Sequence, residues 1–281
     1  MNTSSDQQHP IGSLEWASNN SGALLAAEKK SLLTPIIKTA VELVLGGLLY
    51  KLGLYPNGTG KIDLESITVP DSKIAREAEQ ECLSKLSPEI ITHSLRTFVF
   101  GMALSQVEEV YKKLDIEHFY VTSLLHDIDI ESNNTNNCFA VSGGQQTSLV
   151  AHRSGKSEKI SKDLGNAISQ HITPGVNKAY PGSLAALISE ASLLDLSGYK
   201  IWKLDQDFVK DVDKNDWTHI FKENGRAQLI AQLPSHTTQQ SRLFLANCWN
   251  NRALAFPHGR VALLENVWPG LSHFIRCKCL R

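Results

Sequence analysis

Two neighbouring side chains, His126 and Asp127, close the apolar run FYVTSLLHDI and open onto a polar loop. Burying an imidazole beside a carboxylate is expensive unless something compensates, and a divalent cation is a strong compensator. By itself the dipeptide fits an ordinary helix end equally well. Upstream, His93 lies in a segment whose apolar residues recur at steps of three and four, where a lone histidine is usually a hydrogen-bonded core residue. Downstream, Asp195 is flanked by Leu193, Leu194 and Leu196, and an acid in such a setting needs a partner. Together, His93, His126, Asp127 and Asp195 are a ligand set suited to Zn²⁺, Fe²⁺ or Mn²⁺, and ligand type alone does not choose among them. With a coordination position left open, bound water would have its pKa lowered towards about 7. Asp127 is then the candidate handler of the water proton. Arg96, one helical turn from His93, could hold a ligand carboxylate from behind, with a structural salt bridge as the plain alternative.

Helices must carry these residues. Between Pro88 and Leu114 the apolar positions trace one face of a long helix. Phe119–Ile128 forms a second, more apolar helix, 133–144 is expected to be loop because of Asn133-Asn134 and Gly143-Gly144, and helices follow over 156–171 and 182–196. No long stretch alternates apolar and polar residues, so the expected fold class is all-α. The domain plan is a flexible N-terminal arm over 1–25, an apolar helix and turn over 26–60, a catalytic helical domain over 61–215, and a C-terminal extension over 216–281 packed upon it.

The ordered set His…His-Asp…Asp resembles that of the HD-domain metal hydrolases, which bear such ligands on separate helices of a helical bundle, with the metal between core helices. The likeness extends past the ligands, to the cyanamide-hydratase-like branch. Its His-Ser-x-Arg-x-x-x-Phe-Gly motif is matched by His93, Ser94, Arg96, Phe100 and Gly101. FYVTSLLHDI matches the paired-ligand helix, CFAVSGGQQTSLVA a Phe-x-x-x-Gly-Gly segment with Phe139, Gly143 and Gly144, NAISQHITPG a segment ending in a pocket-facing histidine, here His171 and so the candidate general acid or base or substrate orienter, and EASLLDLSGY the last ligand. The resemblance covers roughly residues 64–215. It implies that metal-activated water adds to the carbon of a small nitrile-like substrate, as in cyanamide to urea, with Phe139, Gly143 and Gly144 near substrate. One departure stands out: the family usually has glycine two positions after the paired Asp, and this chain has Asp129. The rival within the superfamily is a two-metal phosphohydrolase that recruits His152 and His171. A rival outside it is a non-catalytic helical binding module.

Composition sets the remaining bounds. The chain has 281 residues, 42% of them apolar and 20% charged, with formal net charge −1. That provides no long-range field for nucleic acid or an anionic membrane, and no local patch for either is evident from the sequence. A small-molecule substrate and a second copy of the chain are the expected partners. Five cysteines, an odd number, point to a reducing compartment, and the polar N-terminus lacks the pattern of a secretory signal, so the expected location is cytoplasmic. The stretch 32–54 tempts a membrane reading, but Pro35, Lys38, Glu42 and Lys51 interrupt it, and the expectation is a helix buried against the domain or a partner.

Overall fold

A helix that is apolar on every side must be wrapped on every side, and Ile116–Leu125 (α5) is such a helix. Asp115 caps its start by accepting from the His118 amide, and every residue from Phe119 to Leu125 is buried. In the computed structural model, which describes residues 9–20, 24–55, 58, 60–132, 138–176, 178, 182–214, 216–231 and 233, α5 is the hub. It touches Lys73–Lys85 (α3), Pro88–Val107 (α4), Phe139–Arg153 (α6), Glu158–Gln170 (α7) and Gly182–Ser197 (α8). Around it α4 lies along α8 and α6 along α7. Two helices precede this core, the short Leu14–Asn20 (α1) and the long Ala26–Lys51 (α2), and three short ones follow it, Gln206–Asp213 (α9), Thr218–Glu223 (α10) and Ala227–Ala231 (α11). No strand occurs among the described residues, and the fold is all-α.

Several boundaries differ from the sequence reading. The helix expected over 88–114 stops at Val107, where Glu108 turns extended and a 3-10 turn, Glu109–Tyr111, carries on. The break has a tertiary cause: Lys200 bonds both Glu108 and Glu190 at 2.6 Å, and Tyr111 donates to Glu190 at 2.7 Å. Residues 138–144 are not loop, because α6 begins at Phe139 and Gly143-Gly144 lie inside it. A Cβ on Gly144 would stand 2.5 Å from the Gly165 carbonyl oxygen, so the glycines let α6 and α7 touch backbone to backbone. Residues 133–137, the first part of the expected loop, fall outside the described residues.

The expected flexible arm is, over residues 9–20, fastened to the core. Trp16 is buried and donates to Glu28, the Leu14 amide donates to Asn166, and the Ser169 hydroxyl donates to the Gly12 carbonyl. The described part of the extension, up to residue 233, also packs on the core. Phe221 meets Phe98 edge-on, and buried Arg226 donates to Glu79 and to the Pro70 carbonyl. Residues 234–281, with Trp249, Trp268 and the Cys277/Cys279 pair, lie outside the described part.

The helix expected to be buried over 32–54 is α2, and it is mostly exposed. Leu32, Ile36 and Gly46 are its buried residues. Gly46 lies flat against the Trp202 ring, and Tyr199 donates to Glu42 at 2.6 Å. By length and composition α2 could cross a membrane, and it is the one such helix among the described residues.

Candidate metal centre

His126 and His171 hold the same local position at the ends of two packed helices. Each is the residue that follows its helix, with right-handed helical backbone, and each turns its Nδ1 back to a carbonyl three residues earlier: Ser123 at 2.8 Å for His126, Ile168 at 2.6 Å for His171. These bonds assign Nδ1–H as the donor and leave Nε2 with an in-plane lone pair as an acceptor. His93, in the middle of α4, is fixed likewise, with Nδ1 donating to Asp195 Oδ2 at 2.8 Å. The Nε2 atoms of His93 and His126 then face each other at 3.2 Å, with Asp127 Oδ2 3.4 Å from the second and 3.9 Å from the first. His171 Nε2 is 3.8 Å from the other Asp127 oxygen.

That geometry is unfavourable for protein atoms alone. Two lone pairs point at each other and at a carboxylate, and neither buried Asp127 oxygen has a hydrogen-bond partner. An unpaired buried carboxylate is among the most costly groups a core can hold. A divalent cation among these atoms converts every repulsion into attraction. One donor atom each from His93, His126 and Asp127 fall within 4.8 Å of one another, all three residues being buried, so the residues fit a metal ion. Burial also pushes His126 down to about 4; Asp127 opposes the shift, and His93 and His171 reinforce it. The ring is therefore neutral near pH 7 and ready to coordinate.

The sign of that shift gives a pH prediction for chelator-treated protein. An unfolded His126 titrates near its ordinary 6.5 and takes a proton before the native one does, so native stability is full above that value and falls as pH drops towards 4. The loss amounts to roughly 3 kcal/mol, read as a falling melting temperature between pH 6.5 and 4.5. His126→Asn should flatten that slope; an unchanged slope would place its origin elsewhere.

Asp195 does not join the three. Arg96, one turn along α4, donates from Nε to Asp195 Oδ1 at 2.8 Å and from Nη2 to Oδ2 at 3.0 Å, and His93 Nδ1 takes the same Oδ2. This departs from the expected fourth ligand: the carboxylate stands behind His93, bound sideways to a buried guanidinium. Arg96 does sit behind a carboxylate as expected, and the carboxylate orients the imidazole.

The other candidates separate. Phe139 is buried with its ring 6.2 Å from that of His171, so it lines the cluster. Gly143 packs against Ile128 near the His126 carbonyl, and Gly144 lies in the α6–α7 seam. His152 is exposed at the far end of α6. It lies thirteen residues from Phe139, about 20 Å along a helix, and cannot reach the cluster. Asp129, where the resemblance led one to expect glycine, accepts from Ser142 and from Gln146 at 3.1 Å, tying the turn after His126 to α6. The Ser87 amide is similarly held by Glu131 at 2.7 Å. Nothing in the local sequence singled out Ser142, Gln146 or Glu131, because each acts across elements distant along the chain.

No family model matches the chain. Among curated proteins, the cyanamide hydratases DDI2 and DDI3 of Saccharomyces cerevisiae are each 29% identical to it over 133 residues. The similarity is to cyanamide hydratases. The aligned part is 46% of this chain and 59% of each relative, so the chain spans less than two thirds of the curated relatives it matches.

Proposed function

We propose that this chain is a metal-dependent enzyme of the HD-domain type that hydrates a small nitrile-like substrate, cyanamide being the first to test. The observation that carries the reading is the buried Asp127 carboxylate, without a hydrogen-bond partner, facing the Nε2 atoms of His93 and His126. The name of the two relatives supports the choice of reaction. His93, His126 and Asp127 hold the ion, which would be Zn²⁺, Fe²⁺ or Mn²⁺. When bound, it supplies the positive charge that acidifies water and polarises a nitrile nitrogen. The chain's own residues do the rest. Asp127 accepts the proton of the attacking water through its outer oxygen, on the side facing His171. His171, its tautomer set by the Ile168 carbonyl, moves that proton to substrate nitrogen. Phe139 and the apolar surroundings keep bulk water out.

The two-metal phosphohydrolase reading loses its support here, because it needed His152. The deciding experiment is elemental analysis of purified protein, followed by chelation, reconstitution with each metal, and assay of urea formation from cyanamide beside other nitriles and phosphate esters. Phosphate release without any nitrile hydration would overturn the proposal.

Asp195 gives a separate expected result. Asp195→Asn keeps the shape but removes the charge that orients His93, and metal affinity should fall about 10- to 100-fold, as for outer carboxylate partners of ligating histidines. Chelator competition measures this. Complete loss of metal from that variant would make Asp195 a direct ligand.

A further inference from the structure

We infer that the outer face of α2 is a docking surface for an anionic lipid bilayer, on which the helix lies flat. Six aliphatic residues, Ile37, Val41, Val44, Leu45, Leu48 and Leu52, are between 52% and 64% exposed. Spaced at three, four and seven, they form one continuous stripe. Scattered exposed leucines are ordinary, but a contiguous row of this length marks an interaction face.

Charge decides the occupant. Both acids of the helix have partners within the protein, although Glu42 keeps 39% of its side chain exposed and also lies 3.9 Å from Lys38. Glu28 accepts from Trp16 Nε1 and from the Leu25 amide at 2.7 Å each, and Glu42 accepts from Tyr199. The four lysines, Lys29, Lys30, Lys38 and Lys51, are exposed. The helix therefore presents apolar surface and positive charge to its outside. Lys30 and Lys51 share the heptad row of Ile37 and Val44 and so bracket the stripe at both ends. Long lysine stems reach headgroups while aliphatic side chains enter the acyl boundary.

A second copy fits poorly. Parallel pairing sets each lysine against itself, and antiparallel pairing about Ala40 and Val41 sets Lys30 against Lys51, while the partly exposed acid of α2, Glu42, is beside Lys38 and not beside either of them. A crossing of the bilayer also fits poorly, since it would pull Gly46 off Trp202 and Glu42 off Tyr199 and leave Lys38 and Glu42 in hydrocarbon. Those contacts instead hold α2 along the domain, stripe outward. The near-neutral net charge of the chain conceals this patch, which is Lys30 and Lys51 at the two ends of the apolar stripe.

The test is cosedimentation of the full-length, metal-loaded protein with vesicles of phosphatidylcholine alone or of phosphatidylcholine with phosphatidylserine. Binding is expected to the anionic vesicles, to weaken with salt, and to be released by alkaline carbonate. Lys30→Gln and Lys51→Gln should each weaken it roughly fivefold, the worth of one lysine near such a surface. Leu48→Glu should abolish it while melting temperature and metal content stay unchanged. The inference is overturned if neither vesicle is bound, if binding resists carbonate, or if Leu48→Glu turns a dimer into a monomer in sedimentation velocity without affecting lipid.

Discussion

Asp127→Asn should empty the centre of metal and at the same time make the chelated protein more stable. The two effects share one cause. In the wild type the Asp127 carboxylate is buried without a hydrogen-bond partner, 3.4 Å and 3.9 Å from two imidazole lone pairs. An asparagine amide removes the charge and can donate to those same nitrogens, relieving an unpaired group worth about 1–3 kcal/mol or more. Chelated Asp127→Asn should therefore melt higher than chelated wild type by several degrees. Metal affinity should drop by more than the roughly 100-fold expected of an outer-sphere change, and the proposed hydration of cyanamide should fall to the level of the chelated protein. Thermal unfolding with and without chelator, together with metal content, reads both effects. A structural Asp127 would produce the opposite result, a variant that is less stable and still loaded.

Gly144→Ala should destabilise the protein even though alanine is the better helix former. In an open helix that exchange gains about 0.5–1 kcal/mol. At Gly144 the new Cβ would meet the Gly165 carbonyl oxygen at 2.5 Å and Ser169 at 3.2 Å. The first obstacle is backbone, so α6 and α7 must separate, and overpacking of this kind costs roughly 1–3 kcal/mol. The movement reaches the centre, because α7 ends at His171 and α6 begins at Phe139, whose rings are in contact. A lower denaturation midpoint should thus accompany slower turnover. Gly47→Ala is the control: it lies in α2 with nothing within 4 Å of the new Cβ, and it should be neutral or slightly stabilising. If both variants behave as Gly47→Ala, the seam is looser than the distances indicate.

Much of this protein follows from residue order. The steps of three and four in 88–107 and the solid apolar run of α5 are local properties, so the helices and the all-α class could be read directly. His126-Asp127 was legible for the same reason, since two polar groups ending a fully apolar helix require compensation whatever the fold.

What tertiary structure alone decided are the relations between helices. Asp195 was recognisable as an acid in need of a partner, yet three candidates lay within reach of such an argument: the ion, His93 and Arg96. Only the packing of α8 along α4 shows that the last two take it. Gly143-Gly144 looked like a helix breaker because a sequence displays the conformational freedom of glycine and not the backbone that will press against it. The 3-10 break after Val107 depends on Lys200, nearly a hundred positions away, and the acids of α2 find their donors in Trp16 and Tyr199, neither of them on that helix. Periodicity and capping are written within a turn or two of chain, whereas the partner of a buried charge is set by whichever surface folds against it.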